Sequence, residues 1–388
     1  MASTAGGRKR QRSPSIATAA CIPEELVREI LLRLPSKSVL RFRAVCKAWL
    51  RLLSDPGFAL EHHRSQPDLP LVAFLRDASK ELDAVDYCVE ALELRTNDFR
   101  SVIRFTDSNE RCSYFSIHAS CDGLLLLSSK DDLCVCNPAT HQWTRLPTPV
   151  RFSWFVGFYR HGPTGEYRAL FYRGDGPSRN YYVLVAGSRE GKSMGRLPSV
   201  DDGYEFDSNP KGKSALLNGN LHWPSHECHD HKILVLDTVT EVFHWMRPPP
   251  VIREHMPLLE MEDKLAVFSC DEDVTMVELW ILQDYENQLW VCKYRVELPA
   301  LEISTFPLDQ DWLHFFMSRE GVVLVTPQQR LLHYDMDGNL QEIFRCDGRL
   351  LKITRYVLKE SLVRHAFFQI QDNVGDGEEE LPLFFQGL

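Results

Sequence analysis

The chain has 388 residues, long enough for one small and one large domain or for two or three of average size, and its 44% hydrophobic and 25% charged content is ordinary for a soluble globular protein. Its 54 acidic and 44 basic residues leave a net charge of −10, which argues against general binding to nucleic acid or to a membrane surface. No apolar run approaches the roughly 20 residues of a membrane helix, and the N-terminus lacks the apolar core of a signal peptide, so an intracellular protein, cytoplasmic or nuclear, is expected.

Residues 1–20 carry few bulky apolar side chains and are expected to be a disordered tail. Within them RKRQR, Arg8–Arg12, is a candidate nuclear import signal, although such basic runs are frequent in tails by chance. The stretch 21–60 has helical period broken by abrupt stops. Pro23 suits a first helical turn, Glu24 and Glu25 suit the positive end of the dipole, and Leu26, Val27, Ile30, Leu31 and Leu34 make one apolar face. Pro35 stops that helix. Ser36 or Ser38 can cap a second, with Val39, Leu40 and Phe42, and a third brings Val45, Trp49, Leu52 and Leu53. Three helices are expected, then a polar joint at His62–Asp68. About forty residues are too few to bury so many large apolar groups. Either they pack on the rest of the chain or they offer a face to a partner.

The string Ile22-Pro23, EILLRLP, KSVLRFRAVCKAW and the closing DPGF resembles an F-box. What the resemblance implies is docking onto a Skp-type adaptor, and through it onto the cullin and RING subunits of an SCF ubiquitin ligase. The family's contact positions fall here on Pro23, Leu26, Ile30, Leu31, Leu34, Pro35, Leu40, Val45, Cys46 and Trp49. A helical cap serving only its own core is the competing reading.

From Leu69 onward helical period nearly vanishes, and short apolar runs alternate with Gly, Pro, Asn and Asp turns, which reads as all-β over 69–388. One pattern recurs. VCNPATHQW places a strand, then Asn137, Thr140 and Trp143; VLDTVTEVF repeats the roles at Asp237, Thr240 and Phe243. Looser copies surround Asp284 and Asp335, and VLVAGSREGKSM turns at Gly187. These five markers are 50, 50, 47 and 51 residues apart. Asn or Asp opens a tight turn by accepting backbone N–H bonds, and the aromatic returns on an outer strand. Upstream hairpin turns at Asp122-Gly123, Asn218-Gly219, Glu262-Asp263 and Glu320-Gly321 complete a four-stranded unit. A period near 50 with four strands is that of a propeller blade of kelch-like length.

One period before Asn137 lies Tyr87, and one beyond Asp335 lies Phe385, 298 residues apart and close to six periods. Six blades are expected, with seven the nearest alternative, closed by a composite blade from both ends of the domain. Independently, CDGLLLLSS, CVCNPATHQWTRLP, LLNGNLHWPS, ILVLDTVTEVFHWMRPPP, LLEMEDKLAVF and ESLVRH are similar in order to the plant F-box-associated domain. The likeness departs after Leu184 and again at SHECHDH.

No constellation for catalysis emerges. His222, His226, Cys228, His229, Asp230 and His231 have zinc-ligand types but no framework spacing, so no metal or cofactor is expected, and His222 with Trp223 reads as blade packing. GSREGKS lacks phosphate-loop spacing, no nucleophile elbow is present, and Asp271–Asp273 and Glu378–Glu380 read as solvated loops. The eleven cysteines, among them Cys46, Cys134, Cys136 and Cys292, read as small hydrophobes, with no structural disulfide. Trp143, Trp245, Trp280, Trp290 and Trp312 read as packing between blades. The expected function is therefore a non-catalytic substrate receptor, with an adaptor plug and a propeller that binds an unidentified target protein. Two rivals are a propeller enzyme or lectin-like binder regulated through its F-box, and a non-degradative partner of the adaptor.

Overall fold

The structure, a computed structural model, describes residues 22–77, 85–107, 115–129, 132–147, 153–174, 180–195, 214–224, 232–251, 258–261, 263–270, 275–298, 312–313, 315–318, 320–326, 330–345 and 350–368. The tail with RKRQR, the loop 271–274 and the extrapolated strand at Phe385 lie outside these residues.

The N-terminal unit has four helices, α1 (Glu24–Leu32), α2 (Ser36–Phe42), α3 (Lys47–Leu53) and α4 (Pro56–Ser65), which corrects the expected three. Asp55 supplies the reason: its carboxylate accepts the Phe58 N–H at 2.9 Å, and Pro56 occupies the first turn. Phe58, Ala59 and His62 then bury one face, so the joint expected at His62 begins inside a helix. His62 Nε2 donates to the Leu34 carbonyl at 2.8 Å and Gln66 donates to Leu32 O at 3.0 Å. The second bond satisfies a carbonyl that the end of α1 leaves orphaned, and the first satisfies the carbonyl of Leu34, just past the C-cap Arg33.

The wheel follows as β1 (Leu69–Asp77), β2 (Val85–Glu93) and β3 (Asp98–Asp107); β4 (Ser116–Cys121), β5 (Leu124–Ser129), β6 (Asp132–Asn137) and β7 (Gln142–Arg145); and β8 (Trp154–Arg160), β9 (Tyr167–Arg173), β10 (Asn180–Val185) and β11 (Lys192–Gly195). Next come β12 (Ala215–Leu217), β13 (Asn220–Trp223), β14 (Ile233–Asp237) and β15 (Val242–Met246), then β16 (Leu258–Met261), β17 (Lys264–Cys270), β18 (Met276–Asp284) and β19 (Leu289–Glu297). The chain ends its sheets with β20 (Trp312–Leu313), β21 (Phe315–Ser318), β22 (Gly321–Val325), β23 (Arg330–Tyr334), β24 (Leu340–Arg345) and β25 (Leu350–Leu358). Five four-stranded antiparallel sheets and one sheet of order β20-β25-β1-β2-β3 make six blades. The composite blade closes through β25 paired with β1, with Leu69 opposite Leu358. Its marker turn falls at Leu94–Asn97, later than the extrapolated Tyr87, which lies within β2.

Apolar clusters fill the gaps between neighbouring blades all the way round, from Leu125, Cys134 and Cys136 against β1–β3 to Leu324 and Leu331 against Leu351 and Ile353. Burial of both sheet faces explains strands such as β22, apolar and buried at every position. All five markers sit between third and fourth strands. Asn137, Asp237, Asp284 and Asp335 each accept a backbone N–H two or three residues on, at 2.8–3.0 Å. Asn97, His141, Glu241 and Gln288 end their turns at φ between 54° and 59°, a left-handed conformation that residue type did not signal at Glu or Gln.

Candidate docking faces

In a blade of antiparallel strands the first-to-second and third-to-fourth turns leave one end of the wheel, and all other links leave the opposite end. The segment 359–365, which follows β25, lies against the first end. Asn137 Nδ2 donates to Ser361 O at 3.0 Å, and a Cβ on Gly123 would come within 2.4 Å of the Ser361 Cβ. The same segment grips the helical unit. Leu362 is buried with Leu31, Leu32, Val39, Leu53 and Phe58. Glu360 accepts the Ser36 N–H at 2.6 Å through its carboxylate and a His63 Nδ1–H bond at 2.9 Å through its carbonyl.

This resolves the capping of α2 and corrects the serine caps expected from sequence. Pro35 stands at the N-cap with no side-chain cap, and the Ser36 hydroxyl is buried without a hydrogen-bond partner among the described residues. The cap comes from Glu360, 324 residues away, whose carboxylate also lies 3.4 Å from Arg100 Nη1. Arg100 in turn pairs with the nearly buried Glu93 at 2.8 Å. Two carboxylates thus share one guanidinium, and the α2 N-terminus contributes the second positive end.

The outer side of the helical unit is left uncovered. Leu26 and Ile30, one turn apart on α1, are 54% and 51% exposed, and Val45 at the α2–α3 turn is 59% exposed. Pro23 and Cys46 are also exposed; Leu34, Pro35, Leu40 and Trp49 are half-buried. Leu31 alone among the ten adaptor-contact candidates is sealed inside the unit, at 1% exposure, and supports the others from beneath. Cys46 caps α3 by accepting the Trp49 N–H at 3.5 Å, and Trp49 packs edge-on to Phe42 at 5.4 Å. Ile22, Leu50 and Leu60 add exposed apolar surface to this unit that sequence spacing had not singled out. At the far end of the wheel Trp154, first residue of β8, is an exposed aromatic absent from the sequence-based candidates.

Glu260, on β16, is solvent-exposed between buried neighbours, yet desolvation of its carboxyl and then the charges of Asp68, Asp263 and Asp122 push it up to about 7, against the opposing pull of Lys359. His222 is fully buried, with Nδ1 donating to Ala215 O at 3.3 Å and Nε2 accepting from the Tyr285 hydroxyl at 2.8 Å. Burial lowers it to about 4. Trp223 Nε1 donates to Val156 O at 3.2 Å, so both residues pack blades, as read from sequence. Trp143, Trp245, Trp280 and Trp290 likewise pack against inter-blade clusters, and the side chain of Trp312 lies outside the described residues. His226, Cys228, His229, Asp230 and His231 are also outside them; among the described residues no group of three or more His, Cys, Asp or Glu is placed to hold a metal.

Comparison with known proteins matches residues 20–60 to the F-box domain and residues 90–361 to the F-box associated beta propeller domain. F-box protein At5g49610 of Arabidopsis thaliana is 30% identical over 351 residues, covering 82% of this chain and 91% of that protein. F-box/LRR-repeat protein At2g43260 of the same plant is 27% identical, with coverage of 83% and 75%. F-box protein CPR1, also of Arabidopsis thaliana, is 25% identical, with coverage of 84% of each chain.

Proposed function

Since the chain belongs to the F-box-associated β-propeller family, we propose that it is the substrate-recognition subunit of an SCF-type cullin-RING ubiquitin ligase, working in the cytoplasm or nucleus. The observation that carries this reading is the uncovered apolar face at Leu26, Ile30 and Val45, on a unit otherwise anchored to the wheel. Exposed apolar patches of this kind mark interaction sites. The adaptor takes this face, over Pro23, Leu26, Ile30, Leu34, Pro35, Leu40, Val45, Cys46 and Trp49, with Leu31 beneath. Cullin and RING subunits are reached through the adaptor.

The target protein sits on the opposite end of the wheel, where Trp154 is exposed. Support for that choice is steric, because the segment 359–365 and the helical unit occupy the first end. The chain's part in the reaction is positioning: it raises the effective concentration of target lysines near the transferring enzyme and adds no catalytic group. Binding of purified adaptor to the full chain tests the reading. Trp49→Ala with Leu34→Ala should weaken it by about 2 kcal/mol or more, as loss of buried anchors does. Equal capture by the folded double variant removes the assignment.

A further inference from the structure

Residues 36–53, spanning α2 and α3, contain five cations, Lys37, Arg41, Arg43, Lys47 and Arg51, and no acid, in a chain of net charge −10. The remainder, with 39 bases and 54 acids, therefore carries −15. Arg43 is committed internally, donating to the Leu53 carbonyl at 2.8 and 3.2 Å. The other four are exposed and form no ion pair among the described residues. Of the three other cations on the unit, two find acids, Arg28 with Glu61 and Arg33 with Glu29, while Arg64 on α4 forms no ion pair among the described residues. The unpaired set is interleaved with Leu40, Val45, Trp49 and Leu50, apolar side chains left wholly or partly open.

We propose that α2–α3 is an electrostatically steered docking face whose occupant surrounds its apolar pockets with acidic residues, and that Lys37, Arg41, Lys47 and Arg51 set how fast it docks rather than how long it stays. Charge complementarity selects the occupant: an acidic protein surface matches both the cations and the apolar groups between them. Nucleic acid would use the cations but leave the aliphatic residues idle, and the −15 carried by the rest of the chain would repel it. Rim charges on an interface act mainly on association rate, because they shape the field during approach and stay solvated in the complex. The inference rests on the reading above in taking the Skp-type adaptor as the occupant.

The test uses the full chain and purified adaptor, with association and dissociation rates measured from 50 to 500 mM NaCl. Wild type should associate faster at low salt by about tenfold or more, because screening removes the steering. K37E/R41E/K47E/R51E should lose that acceleration and its salt slope, with dissociation changed less than about twofold. The neutral set K37Q/R41Q/K47Q/R51Q should fall between them, and the salt series on wild type gives an answer even if a variant misfolds. Equal rates and slopes for wild type and both variants, with the adaptor still bound, would overturn the steering while sparing the adaptor assignment. No adaptor binding by wild type at any salt would remove the adaptor assignment and the steering with it. Cation-dependent binding to a mixed-sequence oligonucleotide, with adaptor rates unmoved, would transfer the face to nucleic acid and overturn the proposal.

Discussion

Glu360→Ala is the most direct probe of how the helical unit is held. It removes the carboxylate that accepts the Ser36 N–H at 2.6 Å and that stands 3.4 Å from Arg100. A hydrogen bond to a charged acceptor contributes about 1.5–3 kcal/mol. Arg100 keeps Glu93 at 2.8 Å, so no cation is left unpaired and the larger penalty of a broken buried pair is avoided. The seam should therefore weaken by about 2–3 kcal/mol, which corresponds to about 30- to 150-fold in an opening equilibrium. Hydrogen exchange read by mass spectrometry on peptides covering α2 and α4 should report that loss of protection, while blade peptides such as β17 and β18 keep theirs. Glu360→Gln, which keeps the shape and an acceptor but not the charge, should fall between. Exchange of α2 and α4 unchanged within about twofold in Glu360→Ala would refute both the long-range cap and its magnitude.

Gly123→Ala should destabilise the same seam, since a Cβ at φ +79° would meet the Ser361 Cβ at 2.4 Å and the Lys359 carbonyl at 2.7 Å. Gly219→Ala has a similar φ, +76°, but its nearest neighbour is 3.8 Å away, so it should show only the backbone cost of about 1 kcal/mol. Equal losses in denaturant titrations of the two would mean that Gly123 does not pack on the segment after β25. The raised Glu260 carboxyl sets a pH dependence. Unfolded, it ionises near 4.5, whereas the native group keeps its proton up to about 7, so native stability falls as pH rises through that window. Because Glu260 is exposed and water screens its acidic neighbours, Glu260→Gln should melt only slightly higher than wild type at pH 8 and at the same temperature at pH 4.5; a constant difference across that range contradicts the shift.

What the residues revealed unaided was what depends on near neighbours. The period of Leu26, Ile30 and Leu34 is visible within two turns of helix, and the Asn or Asp of each marker bonds backbone only two or three residues on. Repetition of that short signal every 50 residues or so was enough for the blade unit and for six blades. The left-handed turn ends at Glu241 and Gln288 escaped notice because those residue types rarely take that conformation, and at His141 because the modest enrichment of His there is too weak a signal to read from one residue. Phase was lost at the composite blade, where β1 pairs with β25 across most of the chain and no repeat spans the joint. Spacing also could not separate Leu31, turned inward, from Leu26 and Ile30, turned outward, because one helical face can be divided between a core and a partner. Only the tertiary structure decided that α2 is capped by Glu360 and that its unit rides on the marker-turn end of the wheel. Those contacts join residues some three hundred positions apart, and nothing in either local stretch encodes its distant partner.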